Sequence, residues 1–154
     1  MRSHFGHFEF GMLIREAQLE DGEDLTRLLD QLGYPDTDGF IEDRIRALSD
    51  DKDSGILVCL WENRPVGFLA YHLFLQLGLE GGFCRIAYFC VDEMYRGRGV
   101  GEALEAEIVR IATEKKCDRI ELHCSEHRAR AHGFYQKLGY RESPRYLMKS
   151  ISSS

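Results

Sequence analysis

Residues 96 to 101 read Arg96-Gly97-Arg98-Gly99-Val100-Gly101. This stretch follows an apolar and aromatic run, Phe83 to Val91, and opens a long amphipathic segment, Glu102 to Lys116. The order is strand, glycine turn, helix. With no side chains at 97, 99 and 101, main-chain N–H groups can approach an anion closely. The helix that follows adds its unpaired N-terminal N–H groups and the positive end of its dipole. Together these form a cradle for phosphate or diphosphate, to which Arg96 and Arg98 add charge. Over so short a stretch, a glycine-rich turn that merely begins a helix reads the same.

The glycine spacing discriminates among phosphate binders. Counted from Gly97, a dinucleotide fingerprint needs a third glycine where Glu102 stands. A P-loop needs a Lys after its last glycine, and none follows. What remains is R-x-x-G-x-G, formed by Arg96, Gly99 and Gly101. This resembles the diphosphate loop of the GNAT superfamily of N-acetyltransferases. A second stretch strengthens the resemblance. Ala131-His132-Gly133-Phe134-Tyr135-Gln136-Lys137-Leu138-Gly139-Tyr140 is similar to the superfamily segment A-x-x-F-Y-x-K-x-G-[FY], in the expected order and at the expected distance. Met12 to Ala17, followed by Asp21, resembles the family's first strand and helix, so the likeness covers about residues 12 to 150.

The resemblance implies a fold, a cofactor and a set of residues. The fold is a single α/β domain with a splayed pair of strands, the family's fourth and fifth, here Phe83 to Val91 and Arg119 to Cys124. The cofactor is acetyl-CoA, its diphosphate held at Arg96, Gly97, Arg98, Gly99, Val100 and Gly101. Its pantetheine arm lies in the splayed gap against main-chain groups of Phe89, Cys90 and Val91. A backbone N–H at or beside Val91 is the implied oxyanion donor. Tyr135 is the implied acid toward the departing thiolate, a role its phenol suits. Read without the family, Ala131, Phe134, Tyr135 and Leu138 form a plain core stripe.

Two positions depart from the pattern. Arg128 stands where many members have Asn, so it is either a phosphate contact or a solvated helix-start charge. The carboxylate many members use as base has no counterpart in Arg85-Ile86-Ala87-Tyr88-Phe89-Cys90. Glu121, His123, His72 or a water chain could replace it, and Asp92 and Glu93 could contribute. The acceptor pocket is expected beneath the first helix–loop–helix. There Tyr34, Asp36 and Asp38 are candidates to hold an amine, with His123 a further acceptor-site candidate. Tyr71, Phe74 and Tyr88 are candidate wall residues, or core. Asp36 and Asp38 read equally as helix caps, and Asp92 and Glu93 as a solvated turn.

Composition sets the outer limits. The chain has 154 residues, enough for one domain, and a net charge of −6. That balance argues against nucleic acid or an anionic membrane as partner and suits a cationic small molecule. The resemblance implies a small-molecule or protein amine as the acceptor, with a homodimer possible within this family. No stretch is apolar enough to span a membrane. The 5 cysteines include no C-x-x-C pair, which suggests reduced thiols and a cytoplasmic location. His123, Cys124 and His127 lie close in sequence, but a strand-to-loop run does not aim them at one centre, so no metal is expected. Residues 1–11 read as an N-terminal extension or cloning remnant, and 12–154 as the domain.

Periodicity gives the elements. Strands are expected at Leu13 to Ala17, Ile56 to Trp61, Val66 to Leu77, Phe83 to Val91, Arg119 to Cys124 and Tyr146 to Ile151. Helices are expected at Asp21 to Leu32, Asp38 to Leu48, Gly101 to Lys116 and Ala129 to Leu138. This order predicts a mixed central sheet of about six to seven strands with about four helices over both faces. Phe83 to Val91 and Arg119 to Cys124 should be parallel neighbours across a helical crossover.

Overall fold

The computed structural model describes residues 6–8, 11–123, 129–143 and 146–151. Met1–Glu121 and Leu122–Ser154 form two compact units. The strands are β1 (Gly6–Phe8), β2 (Met12–Glu16), β3 (Ser54–Trp61), β4 (Arg64–Phe74), β5 (Gly82–Val91) and β6 (Cys117–Leu122). The helices are α1 (Gly22–Leu32), α2 (Ile41–Asp50), α3 (Val100–Glu114) and α4 (Ala129–Lys137).

One six-stranded sheet runs in the order β1-β2-β3-β4-β5-β6. The first four neighbour pairs are antiparallel. β5 and β6 are parallel. Gly81 lies beside Asp118, the Arg119 guanidinium lies over Phe83, and Arg85 pairs with Glu121, so both strands advance together. The mixed sheet and the crossover through α3 therefore match the sequence reading.

Both sheet faces are covered, which explains why β3 is buried along nearly its whole length. On one face Leu25 and Leu28 of α1 and Ile41 and Ile45 of α2 pack with Ile56, Val58, Phe68, Ala70 and Cys90. On the other lies α3, with Val100, Leu104 and Ile108 at or below 1% exposure. Gly67 makes that contact possible. A Cβ there would stand 2.9 Å from Val100 Cγ1 and 3.1 Å from the Cys90 carbonyl oxygen. The same packing accounts for Tyr71, which is 5% exposed and belongs to the core, not to a pocket wall.

Gly6–Phe8, inside the stretch read as an extension, forms a strand paired with β2. Two expectations need correction. β4 ends at Phe74 rather than Leu77, and Leu75 and Leu77 are fully exposed at the hairpin tip. Tyr146–Ile151 forms no strand. Its apolar residues Tyr146, Leu147, Met148 and Ile151 are 60% to 95% exposed, and an apolar run makes a strand only where a neighbouring backbone completes its hydrogen bonds.

Candidate active site

β5 carries the site and is irregular at its centre. Tyr88 pairs with Ala70 but Ile86 pairs with Tyr71, so Ala87 is an extra, bulged residue. Ala87 and Tyr88 are both exposed in the middle of an otherwise covered strand. A bulge bends its strand and leaves the extra residue out of the ladder with β4.

After Val91 the chain makes a short 3-10 turn (Glu93–Tyr95) and then the glycine stretch. Gly97 and Gly99 are left-handed, with φ of 77° and 86°. Among the described residues nothing lies within 4 Å of the place a Cβ would occupy at either glycine. Gly99 caps α3, whose first internal bond runs from the Ala103 N–H to the Gly99 carbonyl. The N–H groups of Val100, Gly101 and Glu102 therefore have no acceptor inside the helix. Arg96 and Arg98 are exposed beside them. The Arg98 guanidinium lies 5.3 Å from the Tyr95 ring centre and 5.9 Å from that of Trp61, an aromatic shelf that fixes its stem. These groups suit a diphosphate: uncovered donors, a helix end and two cations.

The turn is pinned from outside by residues the sequence reading treated as solvated or did not weigh. Asp92 is only 4% exposed. It accepts from the Met94 N–H at 3.0 Å and from Arg27 Nη1 at 2.6 Å, while its own N–H donates to the Val66 carbonyl. Arg27 also donates to the Pro65 carbonyl, and Gln31 Oε1 accepts from the Glu93 N–H. Burial alone would raise the Asp92 carboxyl; the Met94 N–H, Arg27 and Gln31 outweigh it and hold it below its usual range. α1 is thus bolted to the start of the turn.

On the opposite face, Tyr34 follows α1 and packs edge-on against Tyr88, ring centres 5.2 Å apart. The structure brings these two candidate acceptor residues together. Asp36 is exposed and left-handed, with φ of 61°. Neither Asp36 nor Asp38 caps α2, since Phe40 holds the cap position and α2 has no side-chain cap bond. Glu121 accepts from Arg119 at 2.7 Å and Arg85 at 3.1 Å. Burial would raise its carboxyl, but these two cations hold it below its usual range.

In the second unit, Tyr135 is half-buried on α4. Its ring lies between Phe134 and Tyr140, centres 5.3 Å and 5.6 Å away. Gly139 ends the helix in a left-handed turn, as expected. His123 packs on Tyr146, centres 4.2 Å apart. Arg128, Cys124 and His127 lie outside the described residues. Phe89, Cys90 and Val91 lie just beyond the bulge, and the Cys90 thiol donates to the Leu28 carbonyl at 3.3 Å. Burial pushes the Cys59 and Cys84 thiols up to about 12, which removes both as nucleophiles.

Comparison with known proteins agrees with this geometry. Residues 20–140, most of the chain, match the model of the acetyltransferase (GNAT) family. The chain belongs to that family. A spermine/spermidine N(1)-acetyltransferase of Bacillus subtilis is 35% identical over 83 residues, 52% of this chain and 55% of that protein. A glucosamine 6-phosphate N-acetyltransferase of Trypanosoma brucei brucei is 39% identical over 57 residues, 37% of each protein. The chain thus spans about half or less of the length of these curated relatives. Among solved structures, a protein described as a transcriptional regulator from Bacillus halodurans superposes with a TM-score of 0.82 at 22% identity, covering 96% of this chain and 100% of that one. An aminoglycoside acetyltransferase from a soil metagenomic sample, bound to sisomicin, superposes with a TM-score of 0.76 at 18% identity, covering 92% and 97%. These two likenesses speak to the fold.

Among the described residues, no helix is long and apolar enough to cross a membrane, and no group of three His, Cys, Asp or Glu residues is placed to hold a metal ion.

Proposed function

We propose that this chain is an acetyl-CoA-dependent N-acetyltransferase that moves an acetyl group directly to an amine of a small molecule or a protein. The observation that carries the reading is the left-handed Gly97–Gly99 turn, open where side chains would stand, set between a bulged strand and a helix start. Acetyl-CoA is the donor used by this family, and it supplies an acyl carbon activated by its sulfur.

The chain's residues divide the remaining work. Main-chain N–H groups from Gly97 to Gly101, with Arg96, Arg98 and Arg128, hold the diphosphate. Backbone groups of Phe89, Cys90 and Val91 align the pantetheine arm, and an N–H at or beside Val91 polarises the acetyl carbonyl. Tyr135 gives a proton to the departing sulfur. Tyr34, Asp36, Tyr88 and His123 hold the acceptor. The exposed Asp36 carboxylate and the net charge of −6 favour a cationic amine, as do the relatives named for polyamine and amino-sugar acetylation. The exposed Leu75 and Leu77 support a homodimer, which sedimentation of the purified protein tests.

The deciding experiment sets acetyl-CoA against a panel of polyamines, amino sugars, aminoglycosides and peptides and reads free thiol, beside a thermal melt with CoA. Thiol release with at least one amine is expected. So is a stabilisation of about 2.7 kcal/mol at 100 times Kd. Stabilisation without release from any amine would mark a non-catalytic acyl-CoA-binding domain, and neither effect would end the reading. Tyr135→Phe should lower turnover roughly 10- to 1000-fold with little change in CoA affinity.

A further inference from the structure

An amine acceptor reaches the protein as an ammonium ion; with an ordinary pKa near 10.4, only about 0.04% is neutral at pH 7. Something must take its proton. The bulge in β5 presents Ala87, which has no acid or base, and Glu121 is tied between Arg85 and Arg119 and is a poor proton acceptor.

His72 is arranged differently. It sits on β4, opposite Arg85 on one side and Ser54 on the other, two residues from the Ala70–Tyr88 pair. Strand side chains alternate, so His72 shares a sheet face with Ala70 and Tyr88, the face on which Tyr34 packs. Ser54, 2% exposed, donates its only hydroxyl proton to Asp51 Oδ2 at 2.8 Å. Its oxygen also lies 2.8 Å from His72 Nδ1 and, its proton already given, can only accept there. Nδ1 therefore carries the ring proton, and neutral His72 has its lone pair on Nε2. Among the described residues Nε2 meets no hydrogen-bond partner, and the ring is half-buried rather than sealed. This is the logic of an oriented base: a carboxylate fixes a hydroxyl, and the hydroxyl fixes a tautomer.

We propose that His72 is the general base for the acceptor amine, with Ser54 and Asp51 as positioning residues. The inference rests on the acetyltransferase reading. His72 Nε2 takes one proton from the ammonium, directly or through one water, and the imidazolium returns it to solvent. The freed nitrogen pair forms the bond to the acetyl carbon. The carbon–sulfur bond breaks with its electrons on sulfur, and the second nitrogen proton ends on that sulfur. Of the charged groups, Asp51 lies one hydroxyl away in the turn before β3, and Arg85 stands opposite His72 on β5, itself paired with Glu121 of β6.

Two measurements test this. The first needs no cofactor: imidazole 15N spectra of the full chain, with His72 assigned by loss of its signals in His72→Gln. The Nδ1–H tautomer is expected in the neutral ring, and Ser54→Ala should release it to a mixture. A dominant Nε2–H tautomer overturns the proposal. The second is kinetic. His72→Gln should lower kcat/KM at pH 7 by roughly 100- to 10,000-fold. The loss should shrink as pH rises toward the amine's own pKa, with the CoA-induced thermal shift unchanged. Ser54→Ala should fall between the two. A His72→Gln enzyme with the wild-type rate and pH profile sinks the base and leaves the acetyltransferase reading standing. A wild-type chain that releases no thiol with any amine sinks both.

Discussion

Two short loops lead into helices beside the site, residues 33–40 before α2 and 92–99 before α3. Each contains two left-handed residues, Gly33 and Asp36 in one, Gly97 and Gly99 in the other. They use that geometry to opposite ends. The loop before α3 strips side chains from its centre and is fixed at its entrance, where buried Asp92 joins Arg27 and the Met94 N–H. The loop before α2 is fixed by its own backbone, the Tyr34 N–H to the Leu29 carbonyl and the Phe40 and Ile41 N–H groups to the Thr37 carbonyl, and it displays Tyr34 and Asp36. A loop that must bind an anion through main chain has its anchors placed outside. A loop that must offer side chains keeps its anchors in its backbone.

The harshest way to break this contrast is Gly99→Val. No described residue would touch the new Cβ, so the cost to folding is the left-handed backbone, about 1–2 kcal/mol. The open space, however, is where a diphosphate must sit. CoA binding should fall by more than about 100-fold by calorimetry, far more than the stability loss explains. A variant that folds and binds CoA within tenfold of wild type would show that the turn is only a helix start.

The outside anchor comes next. Asp92→Ala removes a cap and strands the Arg27 guanidinium, and should cost roughly 1–3 kcal/mol in chemical denaturation. It should also weaken CoA binding, although Asp92 holds no phosphate. The sign with pH follows from the direction of its shift. Asp92 lies below its usual value in the folded chain, so its contribution is complete above the ordinary aspartate value near ~3.9 and is lost as pH falls through the lower folded value. The stability gap between wild type and Asp92→Ala should therefore be constant from neutral pH to about 5 and close in acid. A gap that persists below about pH 2 would deny the ion pair that role.

The two loops also differ in how far residue type reveals them. At Gly97 and Gly99 the chemistry is backbone geometry, and glycine is the residue that permits it, so the turn and the start of α3 were legible. At 36 and 38 an aspartate serves equally as cap, cation ligand or solvated charge, and the expectation of caps failed because Phe40 took that place. Asp92 read as a solvated turn for the same reason; its meaning lies in Arg27, 65 residues away. The bulge at Ala87 is a matter of register between two strands, which neither strand states alone. At Tyr146–Ile151 an apolar composition reads as a strand, but composition alone does not supply the paired backbone a strand needs. His72 was one of several possible bases until Ser54, its cross-strand neighbour, fixed its tautomer.

A quieter test of the outside anchoring is Gly67→Ala. The added methyl would stand 2.9 Å from Val100 Cγ1 and 3.1 Å from the Cys90 carbonyl oxygen. Backbone on one side cannot yield, so the first turn of α3 must move away from the sheet. A cost of about 1–2 kcal/mol is expected. Because Val100 follows Gly99 directly, CoA affinity should drop with it. Lost stability at full CoA affinity would show that the anion site tolerates movement of its helix.

The smallest expected effect falls on the other loop. Asp36→Gly suits the left-handed backbone better than aspartate does, while adding freedom to the unfolded chain, and the net change in stability should stay within about 1 kcal/mol. CoA binding should not respond. If Asp36 holds the acceptor through charge, KM for a cationic amine should rise roughly two- to fivefold, as expected of one exposed ion pair, and KM for an uncharged acceptor analogue should not. Added salt should shrink the difference between the two enzymes, because the contact is open to solvent. An equal KM for both acceptors in Asp36→Gly would leave that residue as a turn former, and the division of labour between the loops would then rest on Tyr34 and its contact with Tyr88 alone.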